Sequence, residues 1–200
     1  MASIVFTGTA NDHYDLLTKV IGHLTGVGMG SQAWTLLHSV DDVSDNYHDR
    51  YLMAPGLSGT DEIYINIASN RNLANDTFGW WIRGAIEFNI LNDWNNQPGI
   101  SPAIQMPLWD STTPYWLIAN GRRFILIAKV STVYSSCYAG FIMPYATSAE
   151  MPYPLFIATN CNTTRRWSQG DFFTSGFWDP TEGAAYIRFW DGAWVEIANV

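Results

Sequence analysis

The chain is poor in lysine, in charge of either sign and in long apolar runs. Its 200 residues include two lysines, Lys19 and Lys129, and charged side chains make up 14%, against about 25% in an ordinary soluble domain. The charge that remains is acidic: 18 Asp and Glu against 10 Lys and Arg, a formal net charge of −8. That sign argues against gripping a phosphate backbone by counterion release and against attraction to anionic lipid. Neither a nucleic-acid partner nor membrane insertion is expected. No run of about 18 apolar residues exists from which a spanning helix could form. The longest apolar stretch, Phe124 to Val130, is broken by Lys129 and has the length of a strand.

Cysteine is scarce too. Cys137 and Cys161 are the only two, too few for a disulfide framework. With no Cys-x-x-Cys pair there is no support for a zinc site. The residues Met1 to Thr7 lack the basic stretch and apolar core of a secretory leader, so two reduced, buried thiols are the expectation.

What is abundant is aromatic: ten Trp, ten Tyr and ten Phe, in a chain that is 48% apolar. Disorder is excluded by that much burial material, and 200 residues suffice for one domain, 1–200, with a real core. The eight arginines outnumber lysine four to one. Arg and aromatic residues are favoured at protein interfaces, where Lys is depleted. About two-thirds of the rings are expected in the core and the rest at contacts.

The pattern along the chain predicts a β-rich α+β domain: an antiparallel sheet or two-layer β arrangement with one N-terminal helix. A strand over residues 3–8 precedes a helix capped by Asn11 or Asp12. Leu17, Val20, Ile21 and Leu24 fall on one helical face. Gly26, Gly28 and Gly30 end the helix as a C-cap and turn. Strands are predicted over 33–38, 51–54, 61–69 and 78–90, with Ile63, Ile65 and Ile67 on one buried face. Gly79 and Gly84 mark bulges or close backbone approaches. Asp41, Asp42, Asp45 and Asp49 read as a solvated acidic loop, and their spacing is not that of a calcium loop. Residues 91–114, rich in Asn and Pro, read as a long loop of the functional or interface-forming kind. Asn120-Gly121 and Asp191-Gly192 each flank apolar runs, the signature of hairpins closed by turns with positive φ. Residues 122–130 are apolar on both faces, which predicts a central strand covered on both sides.

No catalytic constellation emerges. The four histidines, His13, His23, His38 and His48, have no metal-ligand spacing and read as exposed or cap residues. No Gly-x-Ser-x-Gly elbow is present. Carboxylates near aromatic residues (Glu62, Glu87, Asp93, Asp110) are too common in such a chain to single out a glycosidase pair. The chain is not expected to be an enzyme or to hold a cofactor or metal. Binding a sugar without catalysis fits the composition better, with Trp80, Trp81, Trp94, Trp109, Trp116, Trp167 and Trp178 as candidate stacking faces. Core or subunit-interface tryptophan is the competing explanation.

Three segments are distinctive: Pro114–Tyr134, which contains Asn120-Gly121-Arg122-Arg123-Phe124; Gly140–Thr147; and Pro152–Phe156. With Trp34, Pro55-Gly56, Leu108-Trp109 and Arg166-Trp167-Ser168, they resemble a family of virion structural proteins from tailed bacteriophages of Gram-negative hosts and their prophages. The resemblance implies a building block of the particle, assembled in the host cytoplasm and most apt at the tail tip or baseplate. A head decoration, collar or neck protein is one alternative, and a glycan-binding module that touches the host surface is another. It carries over no catalytic residues. The expected partners are other copies of the chain and neighbouring virion proteins, packed through the 91–114 and 144–171 loops. Trp109, Trp116, Arg122, Arg123, Tyr145, Tyr153, Arg165, Arg166 and Trp167 are the expected interface residues. For Arg122 and Arg123, plain solvation beside the turn is the competing explanation.

Overall fold

The computed structural model describes residues 2–42, 47–56, 61–74, 76–143, 147, 149–159 and 184–197. After β1 (Ile4–Ala10), Asp12 opens α1 (His13–Thr25) by accepting the backbone N–H groups of Tyr14 and Asp15 at 2.8 and 2.7 Å. Two of the free donors of the first turn are thereby satisfied. The buried stripe is wider than the pattern indicated, since His13 and Leu16 join Leu17, Val20, Ile21 and Leu24. The glycines after it do not form a simple turn. Gly26 is extended, and a 3-10 helix follows over Val27–Gln32, with Gly30 at φ +55°.

The remaining strands are β2 (Thr35–Asp42), β3 (Tyr47–Ala54), β4 (Ile63–Asn72), β5 (Thr77–Ala85), β6 (Ile104–Pro107), β7 (Thr113–Asn120), β8 (Arg123–Val130), β9 (Val133–Phe141), β10 (Leu155–Thr159), β11 (Ala184–Arg188) and β12 (Trp194–Glu196). They form two antiparallel sheets. One has seven strands in the order β1-β7-β8-β9-β10-β11-β12, the other five in chain order from β2 to β6. The fold is the expected β-rich α+β class, in its two-layer form. β9 and β10 pack on strands of the smaller sheet, and α1 touches both sheets. Ile63, Ile65 and Ile67 share the core with Leu117, Phe124, Leu126 and Ile157 from the facing sheet.

The two predicted hairpins exist, but neither closes as the dipeptide rule requires. Asn120 pairs with Arg123, and neither Asn120 nor Gly121 has positive φ. Asn120 instead accepts the N–H groups of Arg122 and Arg123 through its side-chain Oδ1, at 2.9 and 3.2 Å, the Asx-turn device. Gly121 is needed for proximity: a Cβ there would lie 2.9 Å from Pro55 Cγ. Gly121 accepts the N–H of Gly56 at 2.8 Å, and Asn120 O accepts the Trp34 indole at 2.8 Å. The β7–β8 turn of one sheet is thus locked to the end of β3 in the other. In the second hairpin Gly192 N donates to Phe189 O, and Gly192 alone has positive φ, +89°. That is a turn followed by a glycine bulge.

The acidic loop is largely strand. Asp41 and Asp42 lie on β2, while Asp49 lies on β3 and is buried; Asp45 lies outside the described residues. His13 is also buried, against the expectation of exposed or cap histidines. Burial pushes the Asp49 carboxyl up to about 6, although Tyr47, Arg50 and Tyr51 favour its charge. Burial pushes His13 down to about 4 against the pull of Asp110. Both effects are desolvation disfavouring the charged form.

The two groups oppose each other in one pH window. Between about 4 and about 6 the folded chain holds the Asp49 proton more tightly than the unfolded chain, so acidification stabilises. In the same window the unfolded chain holds the His13 proton more tightly, so acidification destabilises. Urea titrations across this range are expected to show little net slope from this pair in the wild type. Asp49→Asn leaves His13 unopposed, and its stability is expected to fall by on the order of 2 kcal/mol on acidification, at about 1.4 kcal/mol per pKa unit. His13→Phe is expected to slope the other way. Parallel slopes in the two variants would refute the assignment.

Candidate functional site

The two sheets treat their outer faces differently. The outer face of the five-stranded sheet is covered by residues 86–103, whose Phe88 and Trp94 pack over Tyr47, Tyr51 and Trp81. Gln97 pins this cover by donating to the carbonyls of Asn89, Asn92 and Asp93 while accepting the Asn89 N–H. The outer face of the seven-stranded sheet has no such cover among the described residues over β1, β7, β8 and β9.

That open face follows from strand register. Side chains directly opposite one another across antiparallel strands share a face. Thr7, Trp116, Ile127 and Ser136 form one cross-strand row; Val5, Ile118, Ile125 and Tyr138 form the next. Both rows alternate along their strands with core residues such as Leu117, Leu126 and Cys137. Val5 is 60% exposed, Tyr134 52% and Trp116 37%. The Trp116 and Tyr134 rings stand 6.2 Å apart and, with Ile127 and Ser136, line an open apolar groove. Beyond it the rings of Tyr138 and Phe156 lie 5.2 Å apart, and the Arg123 guanidinium sits 6.0 Å over Tyr138. Tyr138 donates its hydroxyl to Phe141 O at 2.6 Å. Burial raises its pKa, so it stays neutral. The face is therefore apolar and aromatic, with Arg123 at its margin.

β8 is central in the sheet order, as its sequence indicated, but it is covered on one side only. Phe124, Leu126, Ala128 and Val130 are buried, whereas Ile125, Ile127 and Lys129 are half-buried on the open side. An apolar strand face looks the same in sequence whether its own chain or another covers it.

The expected interface residues do not converge on one surface. Trp116 and Arg123 lie on the open face. Arg122 places its guanidinium 5.8 Å over Phe141 and helps line a small recess with Ser3, Asn120 and Met143. Trp109 is half-buried, edge-on to Phe78 at 5.1 Å. Tyr153 is half-buried beneath the Arg188 guanidinium, 4.7 Å from its ring. Tyr145, Arg165, Arg166 and Trp167 lie outside the described residues, as do Cys161, Trp178 and most of the 144–171 loop. The 91–114 region is not one long loop. It contains β6, buried along its length, and the start of β7.

Tyr134, Ile127, Tyr138 and Phe156 belong to the open face and were not singled out. The signal was available in the alternation of 133–141 around buried Cys137 and Ala139. Of the proposed stacking tryptophans, Trp80 is fully buried in the core, and Trp81 and Trp94 meet on the other sheet. Cys137 is a buried free thiol whose pKa burial pushes up to about 12, so it is unreactive at neutral pH. Among the described residues there is no group of three or more metal-ligating side chains and no helix long and apolar enough to cross a membrane.

No family model matches the sequence, and no curated protein matches it.

Proposed function

We propose that the chain is a structural building block of a tailed-phage particle, placed at the tail tip or baseplate, and that it works by packing against copies of itself and neighbouring virion proteins. The observation that carries the packing role is the open outer face of the seven-stranded sheet around Trp116, Ile127 and Tyr134. Contiguous exposed apolar surface on a folded chain marks an interaction site, and aromatic residues with Arg at the margin are the side chains that contribute most at such sites. The particle itself is supported by the resemblance of Pro114–Tyr134, Gly140–Thr147 and Pro152–Phe156 to virion proteins. The first of these segments supplies Trp116 and Ile127.

Two experiments test the two halves separately. Immunogold labelling of purified virions is expected to mark the distal tail; gold on the head or neck would overturn the placement. Ile127→Glu puts a charge into the open face without touching the core. It is expected to abolish incorporation into particles and any self-association seen by sedimentation, while the chain stays folded with a stability loss of about 1 kcal/mol, as for replacing a β-branched residue on a half-buried strand face. Full incorporation of the variant would refute this face as the packing surface.

A further inference from the structure

The cover on the five-stranded sheet is incomplete. Beside Ala103 it leaves a cleft walled by Tyr47, Trp81, Trp94, Arg83 and Asn95. The Arg83 guanidinium lies 5.6 Å over the Trp94 ring. It has no ion-pair partner among the described residues, and its Nε is shut off from water without a hydrogen bond. The nearby Asp93 carboxylate attracts Arg83 without forming an ion pair, and its Oδ1 accepts Asn95 N at 2.9 Å and Asn96 Nδ2 at 2.8 Å.

The sheet face that carries Trp81 and Arg83 holds buried polar groups next to the cleft. In the cross-strand rows Asp49 faces Ala68, which faces Trp81, and Tyr51 faces Asn66, which faces Arg83. Asp49 and Asn66 are 4% and 2% exposed, and Asp49 Oδ1 and Asn66 Nδ2 have no partner. The Asp49 carboxylate accepts the hydroxyls of Tyr47 and Tyr51. With its proton directed at Asp49, the Tyr47 oxygen is left as an acceptor. Buried polar atoms are rarely left unpaired without a reason, and these belong to the cross-strand rows of Trp81 and Arg83, which wall the cleft.

The chemistry of the cleft is flat ring faces beside a donor-rich edge. A pyranose matches it, with a C–H face for an indole and hydroxyls for Asn95 and Tyr47. A neutral sugar would leave the Arg83 guanidinium without a direct anionic partner, whereas a carboxylate is the acceptor that the guanidinium fork pairs with. A phosphate chain is disfavoured by the net charge of −8. We propose that this cleft binds a carboxylate-bearing pyranose of the hexuronate class, its ring on Trp81 and its carboxylate on Arg83. The site is on the opposite sheet from the packing face and is independent of the assembly reading.

Glucuronate and glucose are the probes, titrated into the full chain while the tryptophan indole N–H signals are followed by NMR. Glucuronate is expected to saturate with a Kd of about 1 mM, and glucose to bind at least about tenfold more weakly. Arg83→Gln is expected to remove the preference between the two sugars. Trp81→Ala is expected to weaken both by about tenfold or more, and Trp116→Ala on the other sheet to change neither. If Trp81→Ala does not fold, Asn95→Ala serves in its place, with weakened binding of both expected. No saturable response to glucuronate at about 50 mM, far above that Kd, would overturn the proposal. So would a response unchanged in Arg83→Gln and in the second cleft variant. Equal affinity for glucose would overturn the carboxylate assignment.

Discussion

Trp80→Ala is expected to lower the unfolding free energy by about 3–5 kcal/mol, read as a reduced urea midpoint. Trp80 is the largest fully buried side chain among the described residues, on the inner face of β5 in one cross-strand row between Ser69 and Met106. Its indole donates to His13 O at 2.9 Å and so ties the first turn of α1 to the smaller sheet. Removing the ring deletes its transfer free energy and leaves a cavity that a two-sheet core closes only in part. Trp80→Phe separates the two contributions. It keeps most of the ring volume and loses the hydrogen bond, and is expected to cost about 1–2 kcal/mol. Against a total of about 5–15 kcal/mol for a typical domain, the alanine variant is close to the limit of folding. A loss below about 1 kcal/mol, the ordinary single-mutant effect, would mean that Trp80 is not packed as described.

Gly140→Ala is the second large effect, with an expected cost of about 3 kcal/mol or more. Gly140 lies on β9 at φ +137°, a region essentially closed to residues with a Cβ, at about 1–3 kcal/mol. A Cβ would also lie 2.4 Å from Arg122 O and 2.6 Å from Arg123 Cα. Those are backbone atoms of the β7–β8 turn, where Arg122 O accepts the Phe141 N–H at 2.8 Å. Neither can rotate away, so overpacking adds about 1–3 kcal/mol. Gly22→Ala is the matched control. Gly22 is on the exposed side of α1 with nothing within 4 Å of a Cβ, and alanine there is expected to stabilise by up to about 1 kcal/mol. Equal melting temperatures for the two variants would refute the conformational argument.

Much of the local structure was legible. The Asp12 cap, the stripe Leu17-Val20-Ile21-Leu24 and the alternation of Ile63, Ile65 and Ile67 are short-range patterns, and the chain adopts each of them. Gly79 and Gly84 marked true close approaches: a Cβ would lie 2.6 Å from Met106 O at the first and 2.6 Å from Trp194 Cη2 at the second. The partner atoms were not legible, because they come from β6 and β12, far along the chain. β6 itself was hidden among Asn and Pro residues, since four residues are too few to show a period. The turn dipeptides located the hairpins and misled on their geometry. Docking on Pro55 and Gln32 demanded a glycine at 121 for space, whereas the rule assumes a demand for positive φ.

The candidate site divides along the same line. Trp116 and Arg123 were identifiable as contact-forming types, but the groove beside Trp116 depends on Tyr134 from β9, two places away from β7 in the sheet. Trp81 and Trp94 were separate candidates and Arg83 was not one; they meet only because residues 86–103 fold back over the sheet. The sequence by itself determined the β-rich class, the helix and its cap, the alternating inner faces and an acidic, arginine-skewed surface, because each rests on composition or on neighbours a few residues apart. Only the tertiary structure decided which outer face is covered and which is open, and that Asp49 and His13 are buried. Those outcomes depend on contacts between segments distant in sequence, and an apolar strand face carries no mark of what will lie against it.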